Sequence, residues 1–171
     1  MKQSILSTAA AFALLASASL ASAQDAPVTD AAQFMTMAAM SDKFEIESSE
    51  LALQNAQSEE VKTFAQQMVT DHTANTQKLM QVAEAGGGNL DAPAELDEKH
   101  QAMMQKIEGA SGEAFDAAYI DAQVQAHKEA VALMSGYAES GDNDPLNAFA
   151  SEALPVIQMH YEMVQKMDGA M

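Results

Sequence analysis

Apolar residues recur at steps of three and four along four long segments of the chain, and this spacing predicts amphipathic helices. The predicted long helices cover residues 31–56, 58–85, 111–138 and 145–167, and a shorter helix covers 94–108. Apolar and polar residues alternate with the period of a strand over no useful length. The pattern therefore predicts an all-α protein, an up-down four-helix bundle with a short extra helix between its two hairpins.

Local signals at the ends of these segments support the same boundaries. Asp30 is suited to cap the first helix, because its side chain can accept a hydrogen bond from a free N–H group of the first turn. Gly86-Gly87-Gly88 predicts the end of the second helix. The third long helix is expected to begin at Ser111 or Gly112, and Pro145 fits the first position of the fourth.

Each of the four apolar stripes carries one side chain near its middle that can bind a metal ion. In helix order these residues are Glu45, His72, His127 and His160. Because their neighbours on each stripe are mostly apolar or small, we expect all four side chains to face the bundle interior.

The positions of these residues along the helices also match. Gln57 lies in the turn between the first two helices, and His72 is three positions further from it than Glu45 is. In antiparallel helices this offset is about 4.5 Å. His160 is likewise three positions further from Asp142, in the last turn, than His127 is. The two pairs are therefore expected to meet at the middle of the bundle.

Three imidazoles and one carboxylate in a single cluster suit a transition metal ion. Zinc, copper and iron are the candidate ions, and such a ligand set leaves a position for water or substrate. The alternative is that each histidine is a separate buried polar residue with its own local partner. The two interpretations differ in whether the side chains converge.

Further residues are candidates for supporting roles around the cluster. His100, on the short helix, is either a further ligand or supporting group or a histidine at the edge of the core. Asp116 and Tyr119 lie one helix end away from His127, where a carboxylate or hydroxyl could orient an imidazole. Asp116 is also explained as an acidic residue at a helix N-terminus. Asp71 is expected to point to solvent.

Methionine is abundant, with 13 residues, and some of these lie next to the histidines. Met68, Met159 and Met163 are close in sequence to His72 or His160. Thioether and imidazole groups together would favour Cu(I). The alternative is that these methionines are flexible core residues, which is the usual role of methionine at helical spacing.

The N-terminal segment has the pattern of a secretory signal peptide. Lys2 precedes an apolar run over residues 5–20, and Ala21-Ser22-Ala23 forms a small-x-small cleavage signature. The predicted organisation is a signal peptide at 1–23, a flexible lead at 24–30 and the helical domain at 31–168. A membrane anchor is the alternative for the first segment. After its removal no apolar run could span a bilayer, so we expect a periplasmic or secreted protein.

The charge of the chain narrows the classes of partner. The net charge is −17, and all eight basic residues are lysine. A nucleic-acid-binding protein needs a basic face, so no nucleic-acid partner is predicted. The chain has no cysteine, which excludes disulfides and thiolate metal sites. The oligomeric state does not follow from the sequence.

Several sequence blocks resemble an exported bacterial ferritin-like family known as domain of unknown function 4142, whose members are often labelled outer membrane proteins. The resemblance runs from about Phe34 to Met167. It is carried by Glu45-Ile46-Glu47, the segment from Val61 to Thr73, the segment from Phe115 to Tyr119 with His127, and Leu154-Pro155 with His160. It implies a ferritin-like four-helix bundle and supplies no settled activity.

The chain departs from the ligand pattern of ferritin-like di-iron proteins. Those proteins use a Glu-x-x-His pair on each of two helices, whereas Val69, Val124 and Ile157 stand three residues before the histidines here. The leading hypothesis is therefore metal binding for sequestration or envelope stress protection, with no catalytic residue assigned. The alternatives are a structural or interaction protein of the envelope and a metal-dependent oxidoreductase.

Overall fold

The computed structural model of the protein describes residues 27–86, 90 and 93–170. The expected signal peptide and the first residues of the expected lead lie outside the described residues. The helices, in chain order, are α1 (Ala31–Asn55), α2 (Glu59–Ala85), α3 (Glu98–Glu108), α4 (Glu113–Ser140) and α5 (Asp144–Asp168).

The four long helices and the short one confirm the predicted all-α fold, with ends close to the predicted ones. The largest difference is at α3, which begins at Glu98 and not at residue 94. Its start is fixed by Asp97, whose side chain accepts a hydrogen bond from the backbone N–H of His100. A carboxylate at this position satisfies a free donor of the first turn, and residues 94–96 stay outside the helix.

Two hydrogen bonds at opposite ends of the bundle define its topology. The carboxylate of Asp116, at the start of α4, accepts from the backbone N–H groups of Gln57 and Ser58 between α1 and α2. The backbone N–H of Asp142, after α4, donates to the carbonyl of Thr29, before α1. Helix α4 therefore runs antiparallel to α1 and parallel to α2. The connection that contains α3 returns along the bundle, which is the single long crossover of ferritin-like folds.

The core is divided along the bundle axis into two apolar clusters. The cluster at the α1–α2 turn includes Phe44, Phe64, Met68 and Ile120, and the cluster at the other end includes Phe34, Leu79, Met134 and Ile157. Between the clusters, every long helix contributes buried polar residues to one layer. The layer contains Asp42, Glu45, Ser48, His72, Gln123, His127 and His160.

Candidate metal centre

Three histidines from three helices meet in the polar layer. One ring nitrogen from each of His72, His127 and His160 lies within 4.8 Å of the corresponding atoms of the other two. The ring centroids are 5.6–5.7 Å apart for every pair. To bind one metal ion with bonds of about 2.1 Å, each of these nitrogens would have to move towards the centre of the group by less than about 1 Å. The three residues form the group that we call the histidine triad.

One nitrogen of each triad ring is held by a partner outside the triad. His72 Nδ1 lies 2.8 Å from Oδ1 of Asp42, and His127 Nδ1 lies 3.0 Å from the carbonyl oxygen of Gln123. His160 Nε2 lies 2.9 Å from Oδ2 of Asp71. Metal-binding histidines usually donate their second N–H in this way, because the bond fixes the tautomer and orientation of the ring.

The other nitrogen of each ring has no hydrogen-bond partner among the described residues. These atoms are His72 Nε2, His127 Nε2 and His160 Nδ1, and all three are inaccessible to solvent. Buried polar atoms are nearly always bonded in folded proteins, so three unpaired nitrogens in one cluster call for an explanation. A shared ligand at the centre of the triad supplies one.

Glu45 lies at the edge of the triad. Its Oε1 atom is 3.4 Å from His127 Nδ1, the nitrogen that already bonds to Gln123, and the side chain is buried. Both carboxylate oxygens lack a hydrogen-bond partner in the described part of the chain. Burial raises the pKa of Glu45 to about 7, although the charge of His72 opposes this rise. The structure thus brings all four predicted residues into one layer, with the three histidines closest together.

The histidines differ in how their surroundings affect the pKa. Burial lowers the pKa of His127 to about 3, with further lowering by the charges of His72 and His160. Burial and the charge of His72 also lower the pKa of His160, against the effect of Asp71. Burial opposes the charged form of His72 too, but the hydrogen bond and charge of Asp42 outweigh it and raise the pKa. A lowered pKa, as at His127 and His160, favours the neutral imidazole, which is the form that binds metal ions.

Asp42, itself buried, is the centre of a small hydrogen-bond network that positions His72. Its carboxylate also accepts hydrogen bonds from Asn75 Nδ2 at 3.0 Å and from Thr76 Oγ1 at 3.0 Å. All three of these partners lie on α2, so one α1 side chain fixes the rotation of α2 and the ring of His72 together.

The expectation that Asp71 points to solvent is wrong. Its side chain is about one third exposed, but Oδ2 accepts the hydrogen bond from His160. The neighbouring Gln67 Nε2 lies 3.3 Å from the same oxygen. Because α2 and α5 are adjacent, a residue one position before His72 faces the seam between the helices, where His160 lies.

The residues expected to support the triad bond to other groups. His100 Nδ1 lies 2.7 Å from Asp97 Oδ1, and its ring packs against Phe44. Asp116 holds the turn between α1 and α2, as described above. The hydroxyl of Tyr119 lies 2.8 Å from Ser49 Oγ. The role of orienting the triad imidazoles, which was expected for His100, Asp116 and Tyr119, belongs to Asp42, Asp71 and the backbone carbonyl of Gln123.

The methionines near the histidines occupy different environments. Met68 is fully buried in the apolar cluster near the α1–α2 turn, and Met163 is partly buried against the same cluster. Met159 is 44% exposed. Met68 and Met163 fit the interpretation of methionine as a core residue, whereas Met159 lies at the surface.

Asp42 and Gln123 were not predicted from the sequence as partners of the triad, although the position of Asp42 contained a signal. Asp42 is as far before Gln57 as His72 is after it, so antiparallel helices place the two residues at the same height. Gln123 bonds to His127 through its backbone carbonyl, an atom that any residue at this position would supply.

The sequence places the chain in a family. Residues 16–167 match the profile of the family described as Domain of unknown function (DUF4142). The chain belongs to this family. No curated protein matches the chain. None of the described helices is long and apolar enough to cross a membrane.

Solved structures with the same fold include metal-bound proteins. "CopM in the Cu(II)-bound form" is 16% identical with a TM-score of 0.69, and the match covers 82% of this chain and 97% of that one. "CopM in the Ag-bound form" is 16% identical with a TM-score of 0.65 over 82% and 96%. A DUF305 fragment from Deinococcus radiodurans is 11% identical with a TM-score of 0.71 over 82% and 95%. At these identities the likeness shows a common fold.

Proposed function

We propose that this protein binds one transition metal ion inside the bundle, through His72 Nε2, His127 Nε2 and His160 Nδ1. The observation that carries the proposal is a set of three buried ring nitrogens that have no hydrogen-bond partner among the described residues, while the other nitrogen of each ring is bonded. Three separate structural histidines would be expected to bond through both nitrogens or to reach solvent. A metal ion would satisfy all three unpaired atoms at once.

We assign Glu45 as the fourth protein group of the site. Its carboxylate is buried beside His127, and both oxygens lack a hydrogen-bond partner among the described residues. A divalent cation would stabilise the charged carboxylate that burial otherwise disfavours. Three nitrogen donors and one oxygen donor suit zinc, copper or iron. Copper is the first ion to test, because CopM of the same fold has Cu(I)-bound and Cu(II)-bound forms.

The physiological role that we propose is metal sequestration or protection of the envelope against metal stress. The triad is buried between two apolar clusters, which suits retention of an ion. Turnover of peroxide or superoxide by the metal-loaded protein would instead favour a metal-dependent oxidoreductase.

The decisive experiment is elemental analysis of the protein purified from the native compartment. We expect about one equivalent of a transition metal per chain, and its loss in a His72→Ala, His160→Ala double variant. The control is His100→Ala, which removes a histidine outside the triad and is expected to keep the metal. Equal metal content in the double variant and the wild type, or no metal uptake by any form, would return the triad to the role of packed histidines.

We further propose that residues 1–23 are a signal peptide and that the bundle domain acts in the periplasm or outside the cell. Lys2, the apolar run at 5–20 and the Ala21-Ser22-Ala23 signature support the proposal. Intact-mass measurement of the native protein should give a chain that begins at Gln24. A native chain that still begins at Met1 would contradict it.

A further inference from the structure

A cavity of about 280 Å³ opens between α2 and α5 and reaches two members of the histidine triad. His72 and His160, both almost fully buried, form its inner end. Lys78 and Glu152, whose side chains are 52% and 69% exposed, lie at its outer end. The cavity therefore runs from solvent to the triad, and we call it the α2–α5 cleft.

Buried side chains fill the directions along the bundle axis and towards α1 and α4. Along the bundle axis, Met68 lies in one apolar cluster and Leu79 in the other, and both are fully buried. Towards α1 and α4, Ser48 and Gln123 are fully buried and hydrogen-bonded to each other at 3.1 Å. An ion that reached the triad from these sides would have to separate packed helices.

The polar groups of the cleft are suited to a cation. Asp71, one third exposed, lies in the cleft and bonds to His160, so its carboxylate is accessible from solvent and adjoins the triad. Glu152 adds a second carboxylate at the outer end. Lys78 also lines the cleft, and its Nζ atom lies 3.6 Å from a carboxylate oxygen of Glu152 on the facing helix. Such exposed ion pairs are weak, so the pair can open without disturbing the bundle.

We propose that the α2–α5 cleft is the route by which the metal ion reaches and leaves the triad, with Asp71 and Glu152 as the carboxylates that guide it. This inference rests on the proposed metal-binding function. A cleft lined by carboxylates concentrates cations at its mouth and raises their association rate. The Lys78–Glu152 pair has to separate as the ion passes.

The first test blocks the cleft without changing a ligand. Ala153 lines the cleft, and Ala153→Phe would fill it. Binding of Cu(II) to the metal-free protein is followed by stopped-flow absorbance, and release is followed with excess chelator. We expect both rate constants to fall by about tenfold, which is about 1.4 kcal/mol of added barrier. The dissociation constant should stay within a few-fold, because a blocked route slows both directions equally.

The matched control for this variant is Ala118→Phe. Ala118 is also a partly buried alanine, but it lines a separate cavity beside α3. The control is expected to bind and release Cu(II) at wild-type rates. If Ala153→Phe binds and releases Cu(II) at wild-type rates, the cleft is not the route. That result would overturn the route and would not affect the proposed metal site.

A second test changes the charge of the cleft and does not depend on how Ala153→Phe folds. Glu152→Lys places a positive charge at the outer end, and we expect Cu(II) association to slow by about tenfold at low salt, with a smaller effect at high salt. Glu162→Lys, at an exposed position further along α5, makes the same change in net charge. Equal slowing in the two variants would show a general charge effect and overturn the route. Failure of the wild type to bind Cu(II), zinc or iron would instead overturn the proposed function and the route with it.

Discussion

The carboxylate of Asp42 accepts a hydrogen bond from His72 Nδ1 at 2.8 Å, and both side chains are buried. Because the bond occupies Nδ1, the ring presents Nε2 to the other two histidines of the triad. The same carboxylate bonds to Asn75 and Thr76. Asp42 is therefore a positioning residue, which acts on a metal ion through His72.

Replacement of Asp42 should weaken metal binding without removing a ligand. In Asp42→Asn, the side chain keeps its size but loses the charge that favours the N–H tautomer at Nδ1 of His72. We expect metal affinity to fall by about 10–100-fold, measured by competition with a chelator of known affinity. Asp121→Asn, which changes an exposed acid on α4, is the control and should keep wild-type affinity. Unchanged affinity in Asp42→Asn would show that the bond has only a structural role.

Glu45 should make the stability of the metal-free protein depend on pH. Its pKa is about 7 in the folded protein, against an ordinary value of 4.5. The carboxyl group therefore stays protonated to a higher pH in the folded state than in the unfolded state. Folding is then progressively disfavoured as pH rises from about 4.5 to about 7. Relative to Glu45→Gln, the wild type should be equally stable at low pH and less stable above about pH 7 by at most about 3 kcal/mol.

The measurement is urea unfolding of both proteins in the presence of a chelator across this pH range. The difference between the two curves isolates Glu45 from the histidines, whose pKa shifts act in different directions. With metal bound, the order should reverse, because only the wild type has the carboxylate to offer the ion. A stability difference that does not change with pH would contradict the assignment of a raised pKa.

The sequence was sufficient to predict the residues of the triad, because helical periodicity determines which side chains face inward. Distances along the chain from Gln57 and Asp142 were sufficient to place Glu45 within about 4.5 Å of the height of His72, and His127 within about 4.5 Å of the height of His160. The structure brings these residues into one polar layer between two apolar clusters. Within each hairpin, the heights of the side chains follow from a short turn and the constant rise of a helix per residue.

The partners of the imidazoles follow less directly from the sequence, because Asp42 and Asp71 meet their histidines only through the pairing and rotation of neighbouring helices. Asp71 bonds to His160 only because α2 and α5 are adjacent, and Asp42 bonds to His72 only in one relative rotation of α1 and α2. Asp116 bonds to Gln57 because the crossover sets α4 antiparallel to α1. Periodicity fixes which face of each helix points inward, but it does not determine which side chains of two neighbouring helices bond to each other.

Asp116 should matter for stability and not for metal binding. Its carboxylate accepts three hydrogen bonds from the backbone of Gln57 and Ser58, and so it joins the start of α4 to the α1–α2 turn. In Asp116→Ala those N–H groups lose a charged partner, and we expect a loss of about 2–3 kcal/mol in the free energy of unfolding. Metal affinity of the folded variant should equal that of the wild type. A large loss of affinity at unchanged stability would restore the predicted role of Asp116 beside the triad.

His127→Leu should separate the effect of the triad on the stability of the metal-free protein from its effect on metal binding. His127 is fully buried beside Phe64, and Nε2 has no hydrogen-bond partner in the described part of the chain. Leucine of similar size removes this unpaired atom, so the metal-free variant should be at least as stable as the metal-free wild type.

Metal should then stabilise only the wild type. At a free metal concentration of about 100 times the dissociation constant, binding contributes about 2.7 kcal/mol, which for a domain of this size is a rise of about 5–10 °C in Tm. Thermal unfolding with and without Cu(II) measures both effects, with His100→Leu as a control that keeps the rise. An equal metal-induced rise in His127→Leu would exclude His127 as a ligand. The opposite result would be a metal-free His127→Leu variant that is much less stable than the metal-free wild type. It would mean that His127 stabilises the fold by packing, because an unpaired nitrogen that serves to bind a metal ion cannot stabilise the fold when no ion is bound.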